Sequence, residues 1–298
     1  MRVNVCTVNS GWILQKISER ITQSYPGNDI SFSLSKGAPP VPDYTADVNY
    51  YVDIQNCFFN VKTKCDIGLF THADLDSKKW MFDMFMRQGC FGLDAIIAMG
   101  QRYADMMIEL GYPKEKVYVL PQGLNTDYFP MKKIKIGISG RGGWPGYGHF
   151  FLQSFFSKYN TKNFEFHFLG SGWDSILTDE VKANTNIFIR SNESYDFYPE
   201  FYQSLDYLLV AGLWAGGPIC IQEGLATGLP IISADIGYTN HEYFPDYVFK
   251  PGNESGLLNI LREIEKPYIE RRAQVEDITW ENHTARLVDI IKKVKNIK

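Results

Sequence analysis

The stretch Leu208–Tyr238 constrains the fold of this chain more than any other. It reads as an apolar strand at Leu208–Val210, a turn at Ala215-Gly216-Gly217-Pro218, a short helix at Ile219–Ala226 and an apolar return at Leu229–Ser233. Thr227-Gly228 closes the helix, and Pro218 is placed at its first position, where a missing N–H costs nothing. Two buried strands joined through a helix form a βαβ unit, which belongs to a parallel sheet covered on both faces. The glycines let the backbone approach a ligand. A helix start leaves unpaired N–H groups and a positive dipole end at one spot, a seat for phosphate. Glu223 lies one helical turn further in, within reach of a ribose hydroxyl. The same pattern also suits a βαβ unit whose glycines serve packing alone.

The chain has 298 residues, a length that suits two domains of about 130 to 160 residues each. With 45% hydrophobic and 21% charged residues it is an ordinary globular sequence, which excludes disorder. A formal charge of −4 gives no general pull toward nucleic acid or anionic membrane. The five cysteines (Cys6, Cys57, Cys65, Cys90, Cys220) are scattered without metal-ligand spacing, which points to a reducing compartment. Cys6 and Cys220 lie in or beside apolar runs, where a thiol acts as a small hydrophobe. The N-terminus runs straight into a strand at Arg2–Val8, without a charged leader. No run reaches the roughly 18 to 20 apolar residues of a membrane span, so the expected location is cytoplasmic.

Strand and helix periodicities alternate throughout. In the first half, strands are expected at Val3–Val8, Ile30–Leu34, Val48–Val52, Ile67–Thr71, Leu93–Met99 and Val117–Leu120. Helices are expected at Trp12–Ile21, with Ile13, Ile17 and Ile21 on one face, at Lys78–Gln88, and at Gln101–Leu110 before Gly111. Gln122–Lys133 lacks a clear period and carries Gly and Pro, which places the domain link there. A second series follows: strands Ile134–Ser139, Phe164–Leu169 and Ile187–Ile189, and helices His149–Ser157 and Tyr198–Ser204. After the opening βαβ segment come a strand at Val248–Lys250 and helices at Glu254–Glu265 and Trp280–Lys295. The expected fold class is α/β, with a first domain over 1–125, a second over 126–279, and a final helix over 280–298 packing back toward the first. Two doubly wound halves would set a ligand cleft between the carboxyl ends of their sheets.

Five segments, taken in order, resemble one family. Glu223-Gly224-Leu225-Ala226-Thr227-Gly228-Leu229-Pro230-Ile231-Ile232 matches the second half of a donor-site signature. Leu93–Met99 followed by Leu110–Val117 is similar to the passage into an interdomain linker, and Pro121–Pro130 to a Pro-Asn-Gly-Val-Asp-x-x-x-Phe run. Phe166–Gly172 resembles a second-domain strand ending in Gly-x-Gly, and Ile278–His283 a Ser-Trp-Glu helix start. Together they resemble the retaining nucleotide-sugar glycosyltransferases of the GT-B fold, specifically glycosyltransferase family 4. The resemblance implies two Rossmann-like domains facing across a cleft, a nucleoside diphosphate sugar as donor, and transfer without a cofactor or metal. It assigns donor binding to Gly140, Arg141, Gly170, Gly216, Gly217, Ile219, Cys220 and Glu223, with the diphosphate on Arg141 and the amides of Ile219 and Cys220 and the ribose on Glu223, and it gives catalytic roles to His72, Arg141 and Glu223. It further assigns His72, at the tip of Ile67–Thr71, to the donor sugar, and Ser10, Gly11 and Trp12 to the acceptor side.

Two positions depart from the family pattern. The residue eight before Glu223, usually a second glutamate, is Ala215. The loop Arg141–His149 carries no Lys after its Arg, although Arg suits phosphate because its fork donates two hydrogen bonds. Arg141 could otherwise be a surface cation, Glu223 a solvated helix acid and His72 a structural histidine; Trp214 either stacks on a sugar or, as the favoured reading, fills the core. His167, His241 and His283 show no metal spacing and read as structural, and Asp74-Leu75-Asp76 reads as a loop. The acceptor expected is a glycan or a lipid-linked glycan. A second option is hydroxymethylated DNA, held by Lys62, Lys64, Lys78, Lys79, Arg87 and Arg102. With Ala215 and the absent Lys, the alternative is a non-catalytic sugar-nucleotide binder or scaffold.

Overall fold

The computed structural model describes residues 1–8, 13–38, 40–52, 62–71, 92–237, 239 and 243–296. The chain divides into two compact units, Met1–Phe129 with Ala273–Lys298, and Pro130–Arg272. Each unit is built on one six-stranded parallel sheet, so the chain is an α/β protein with two Rossmann-like halves.

In the first unit the strands are β1 (Arg2–Val8), β2 (Ser31–Gly37), β3 (Val48–Tyr51), β4 (Asp66–Phe70), β5 (Ala95–Ala98) and β6 (Val117–Val119). Their order is β2-β1-β3-β4-β5-β6. All residues of β3, β4 and β5 are buried, as expected for central strands covered on both faces. Val3 stands opposite both Phe32 and Val48, which sets the register of the first three strands. Buried Asn4 donates to Asn49 Oδ1 at 2.9 Å and accepts from Ser33 and Ser35, so these strands also share a polar tie. Helix α1 (Ile13–Gln23) buries Ile17 and Ile21 against this sheet. Ile13 was expected on the same face; as the first helical residue it remains 65% exposed. Helix α2 (Gln101–Glu109) ends at Gly111, whose φ of 95° lies in the left-handed region that favours glycine.

The second unit holds β7 (Ile134–Ser139), β8 (Phe164–Leu169), β9 (Ile187–Arg190), β10 (Tyr207–Val210), β11 (Ile231–Ala234) and β12 (Tyr247–Phe249). Their order is β12-β11-β10-β7-β8-β9. The chain therefore winds outward from β7 through β8 to β9, then returns to start again at β10. Right-handed crossovers on both sides of that reversal put helices on opposite faces and open a crevice at the strand ends between β7 and β10. The helices are α3 (His149–Lys158), α4 (Asp179–Asn184), α5 (Tyr198–Gln203), α6 (Ile219–Ala226) and α7 (Glu254–Ala273).

Three features differ from the sequence reading. The short helix α4 was not anticipated, although Thr178 caps it by accepting from the Val181 amide at 3.4 Å and Asp179 and Glu180 sit in its first turn. Helix α7 does not stop at Glu265 but continues through Pro267. Glu263 and Pro267 are both exposed, so the carbonyl that proline leaves unpaired lies on the solvent side of the helix. Pro218 caps α6 rather than opening it, with φ −72° and ψ 107° outside the helical region.

The last helix, α8 (Trp280–Asn296), belongs to the first unit, where it buries Leu287, Val288, Ile291 and Val294. Its entry is tied to the segment after β6. Leu124 N donates to Ile278 O at 2.7 Å, and a side chain at Gly123 would run into Trp280. His283 is buried beside this junction, with Nδ1 2.8 Å from Pro121 O and no partner for Nε2. Burial holds its pKa below the usual histidine range, the Pro121 carbonyl opposing and the Arg286 charge reinforcing the shift. A lowered folded-state value means stability that is complete above the unfolded pKa of about 6.5 and lost as pH falls through the folded one. The stability advantage of wild type over His283→Asn, from urea midpoints, is therefore expected to shrink between pH 7.5 and pH 5. An advantage that stays constant over that range would refute the assignment.

Among the described residues, no helix is long and apolar enough to cross a membrane. Cys6, Cys65 and Cys220 are free and buried, and burial pushes the Cys6 thiol up to about 12.

Candidate functional site

The loops leaving β7 and β8 interlock backbone to backbone. Gly140 N donates to Leu169 O at 2.9 Å, Gly142 N to Ser171 O at 2.8 Å, and Gly170 N to Arg190 O at 3.0 Å. Gly170 has φ 128°, and a Cβ there would fall 2.1 Å from Gly140 O, so only glycine lets the two turns close. Trp173, fully buried, donates from Nε1 to Gly140 O at 2.8 Å and pins this junction from below. The loop after β7 also meets the loop after β10. Leu213 N donates to Gly146 O at 2.9 Å, and a Cβ on Gly148, at φ 74°, would fall 1.9 Å from Ala211 O.

These loops enclose a pocket of about 520 Å³ lined by Gly140, Arg141, Trp144, Tyr147, Gly170, Ser171 and Tyr198. Three residues assigned to donor binding, Gly140, Arg141 and Gly170, thus line one pocket. Arg141 is exposed, and its guanidinium has no hydrogen-bond or ion-pair partner among the described residues. A cation without a partner, facing a polar concavity framed by glycine backbone, suits an anion. Trp144 is 58% exposed, and Trp214, which was expected to fill core, is 57% exposed. The Trp214 carbonyl lies where a side chain on Gly146 would be, so backbone packing carries its indole out to solvent.

Gly216, Gly217, Ile219, Cys220 and Glu223 stand on the neighbouring turn and on α6, and do not line that pocket. Gly216 and Gly217 are exposed, and a Cβ at Gly216 would meet nothing within 4 Å. Carbonyls of Ala215 and Gly216 rest against Gly237 in the loop after β11. The first turn of α6 has no side-chain cap. Its Ile219 side chain is 62% exposed, while the Cys220 thiol is buried in the core, and burial pushes its pKa up to about 12. Any contribution of Cys220 to a ligand is thereby confined to its backbone.

Glu223 is half-buried and bound on both carboxylate oxygens. Tyr195 Oη donates to Oε1 at 2.7 Å and Tyr202 Oη to Oε2 at 2.6 Å. Both phenols are held above the usual tyrosine range, Tyr195 chiefly by the bond to Glu223 and Tyr202, the more strongly shifted, chiefly by burial. Tyr198 lies between them, its ring centroid 5.0 Å from that of Tyr195 and 6.4 Å from that of Tyr202, and it also lines the pocket. The tyrosine series therefore links Glu223 to the Arg141 pocket. Sequence reading missed these three side chains. Their spacing of three and four residues, one face of a helix, was the available signal.

His72, Ser10, Gly11 and Trp12 lie outside the described residues, as do His241, Asp74-Leu75-Asp76, Lys78, Lys79 and Arg87. Of the remaining basic residues considered for DNA, Lys62 is engaged by Asp94 at 2.6 Å and Asp66 at 3.3 Å, and Lys64 donates to Thr45 O at 3.3 Å. His167 is stacked on Phe188 and lies 3.4 Å from Glu165.

No curated protein matches the chain by sequence. Among solved structures, it is similar to the lipopolysaccharide outer core galactosyltransferase WaaB in its apo form, at 12% identity over 98% of this chain and 99% of that one, with a TM-score of 0.39. Anabaena Alr3699/HepE in complex with UDP and glucose is 10% identical over 99% and 97% of the two chains, with a TM-score of 0.40. A glycosyltransferase from Rickettsia africae ESF-5 is 15% identical over 98% of each chain, with a TM-score of 0.37. Residues 133–265, which span nearly all of the second unit and contain both Arg141 and Glu223, match the family model for glycosyl transferases group 1. Over that second unit the chain is similar to the glycosyl transferases group 1.

Proposed function

We propose that the chain is a glycosyltransferase of the GT-B type, which moves a sugar from a nucleoside diphosphate donor to an acceptor hydroxyl, retaining the anomeric configuration and requiring no metal. The observation that carries the reading is the Arg141 guanidinium, unpaired among the described residues, in a glycine-framed pocket at the carboxyl ends of β7 and β8. In the reaction the anomeric carbon–phosphate oxygen bond breaks, a new carbon–oxygen bond forms to the acceptor, and the acceptor proton passes to the departing phosphate. The group whose charge grows is the leaving diphosphate, so fixed donors aimed at it stabilise the transition state most. Arg141 supplies two N–H donors, and the uncapped first turn of α6 supplies the amides of Ile219 and Cys220. Glu223 takes the ribose. His72 is assigned to the donor sugar.

The Ala215 side chain cannot accept a hydrogen bond from the transferred sugar, and the exposed backbone at Gly216 and Gly217 takes over that contact. The acceptor is a glycan or glycolipid intermediate. Hydroxymethylated DNA is the second option for the acceptor.

A donor panel of UDP-, GDP- and ADP-sugars, with release of nucleoside diphosphate as readout, tests the reading. One donor is expected to turn over equally in EDTA, with NMR of the product showing the donor's anomeric configuration kept. Inversion or abolition by EDTA would refute those parts. Binding of the donors without any turnover would favour the non-catalytic alternative, and absence of binding would remove the nucleotide site.

A further inference from the structure

Glu223 presents a carboxylate whose two oxygens are held in unlike ways. Oε2 receives the Tyr202 hydroxyl at 2.6 Å from a side chain that is 2% exposed and packed among Phe201 and Tyr198 on α5. Oε1 receives the Tyr195 hydroxyl at 2.7 Å from a side chain that is 65% exposed. Tyr195 sits on a single 3₁₀ turn, Tyr195–Phe197, just after Asn192, a non-glycine residue at φ 61°. A core tyrosine moves only with its helix, whereas an exposed tyrosine on a one-turn segment needs little more than a rotamer change to leave. Toward a carboxylate, a phenol and a sugar hydroxyl are the same kind of donor.

We propose that Tyr195 is a latch on the ribose seat: its hydroxyl occupies the Glu223 oxygen that a ribose hydroxyl takes, and nucleotide entry exchanges one for the other. This rests on the nucleotide-donor reading above. Tyr202 is then the positioning residue, which keeps the carboxylate plane aimed while the partner at Oε1 changes. Tyr198, whose ring already meets that of Tyr195 and lines the Arg141 pocket, gives the released phenol a wall to lie against. The exchange conserves the hydrogen bond at Oε1, so the carboxylate is not stripped of partners in either state. The empty seat is never left to water alone.

The two tyrosines are therefore expected to respond in opposite directions. In calorimetric titrations with UDP, GDP and ADP, Tyr195→Phe is expected to bind the preferred diphosphate about three- to tenfold more tightly, the worth of one competing hydrogen bond. Tyr202→Phe is expected to bind it more weakly by a similar factor. Inorganic pyrophosphate, which carries no ribose, is expected to bind wild type and Tyr195→Phe alike. Unchanged or weaker diphosphate binding by Tyr195→Phe, beside a wild type that binds, would overturn the latch and leave the nucleotide site standing. An equal gain for pyrophosphate would also overturn it. If neither protein binds any of the three nucleotides, the donor reading falls and the latch with it. Binding by Tyr195→Phe alone would mean a latch that wild type holds shut.

Discussion

Arg141→Ala is expected to lower kcat/KM for the accepted donor by about 10²- to 10³-fold, the usual effect of removing one preorganised donor from a site of developing negative charge. The guanidinium has no competing partner among the described residues, so no internal salt bridge buffers its loss. The loop Arg141–His149 contains no lysine to take over. Arg141→Lys retains the charge but not the planar fork and is expected to fall between the two, since a point charge cannot donate two parallel hydrogen bonds to phosphate oxygens. Steady-state kinetics of the two variants, beside their affinity for the nucleoside diphosphate product, separate the contributions. A loss in kcat larger than the loss in product affinity marks action on the transition state. Activity within threefold of wild type in Arg141→Ala would reduce the residue to a surface cation.

The second large effect is on stability. Trp173→Ala is expected to destabilise the second unit by about 3–5 kcal/mol, the usual range for truncating a fully buried aromatic. Trp173 is fully buried and packs on Phe168 with ring centroids 4.7 Å apart. It also supplies the indole N–H that Gly140 O accepts at 2.8 Å, so truncation leaves a carbonyl without that partner at the pocket wall. Trp173→Phe keeps much of the volume while removing the donor, and is expected to cost less. Urea unfolding followed by circular dichroism measures both. Because the chain divides into two units, the transition is treated as two steps, and only the one belonging to Pro130–Arg272 is expected to shift. A Trp173→Ala variant within 1 kcal/mol of wild type would contradict this account of the loop junction.

Periodicity alone located β7, β8 and α6 to the residue, because their apolar runs are bounded by Gly, Pro or charged residues that end the pattern sharply. It failed where local signals were weak or misleading. Helix α4 spans only Asp179–Asn184, too short for a helical period to stand out. The helix expected to end at Glu265 runs on through Pro267, since an exposed position lets a helix absorb a proline at the cost of one backbone bond. Trp214 was judged by hydrophobicity, which says nothing about the close backbone contact at Gly146 that turns it outward.

The candidate site divides along the same line. Arg141, Gly140 and Gly170 were picked out by the family resemblance, and the fold brings them to one pocket. The placement of Glu223 on α6 was legible too. Its two tyrosines were not, since Tyr195 and Tyr202 reach it from 28 and 21 residues away. Local periodicity is written in neighbouring residues, so strands, turns and the order of the two halves can be read from the chain. Which oxygen of a carboxylate meets which hydroxyl depends on how distant segments pack, and packing answers to the whole set of buried contacts at once.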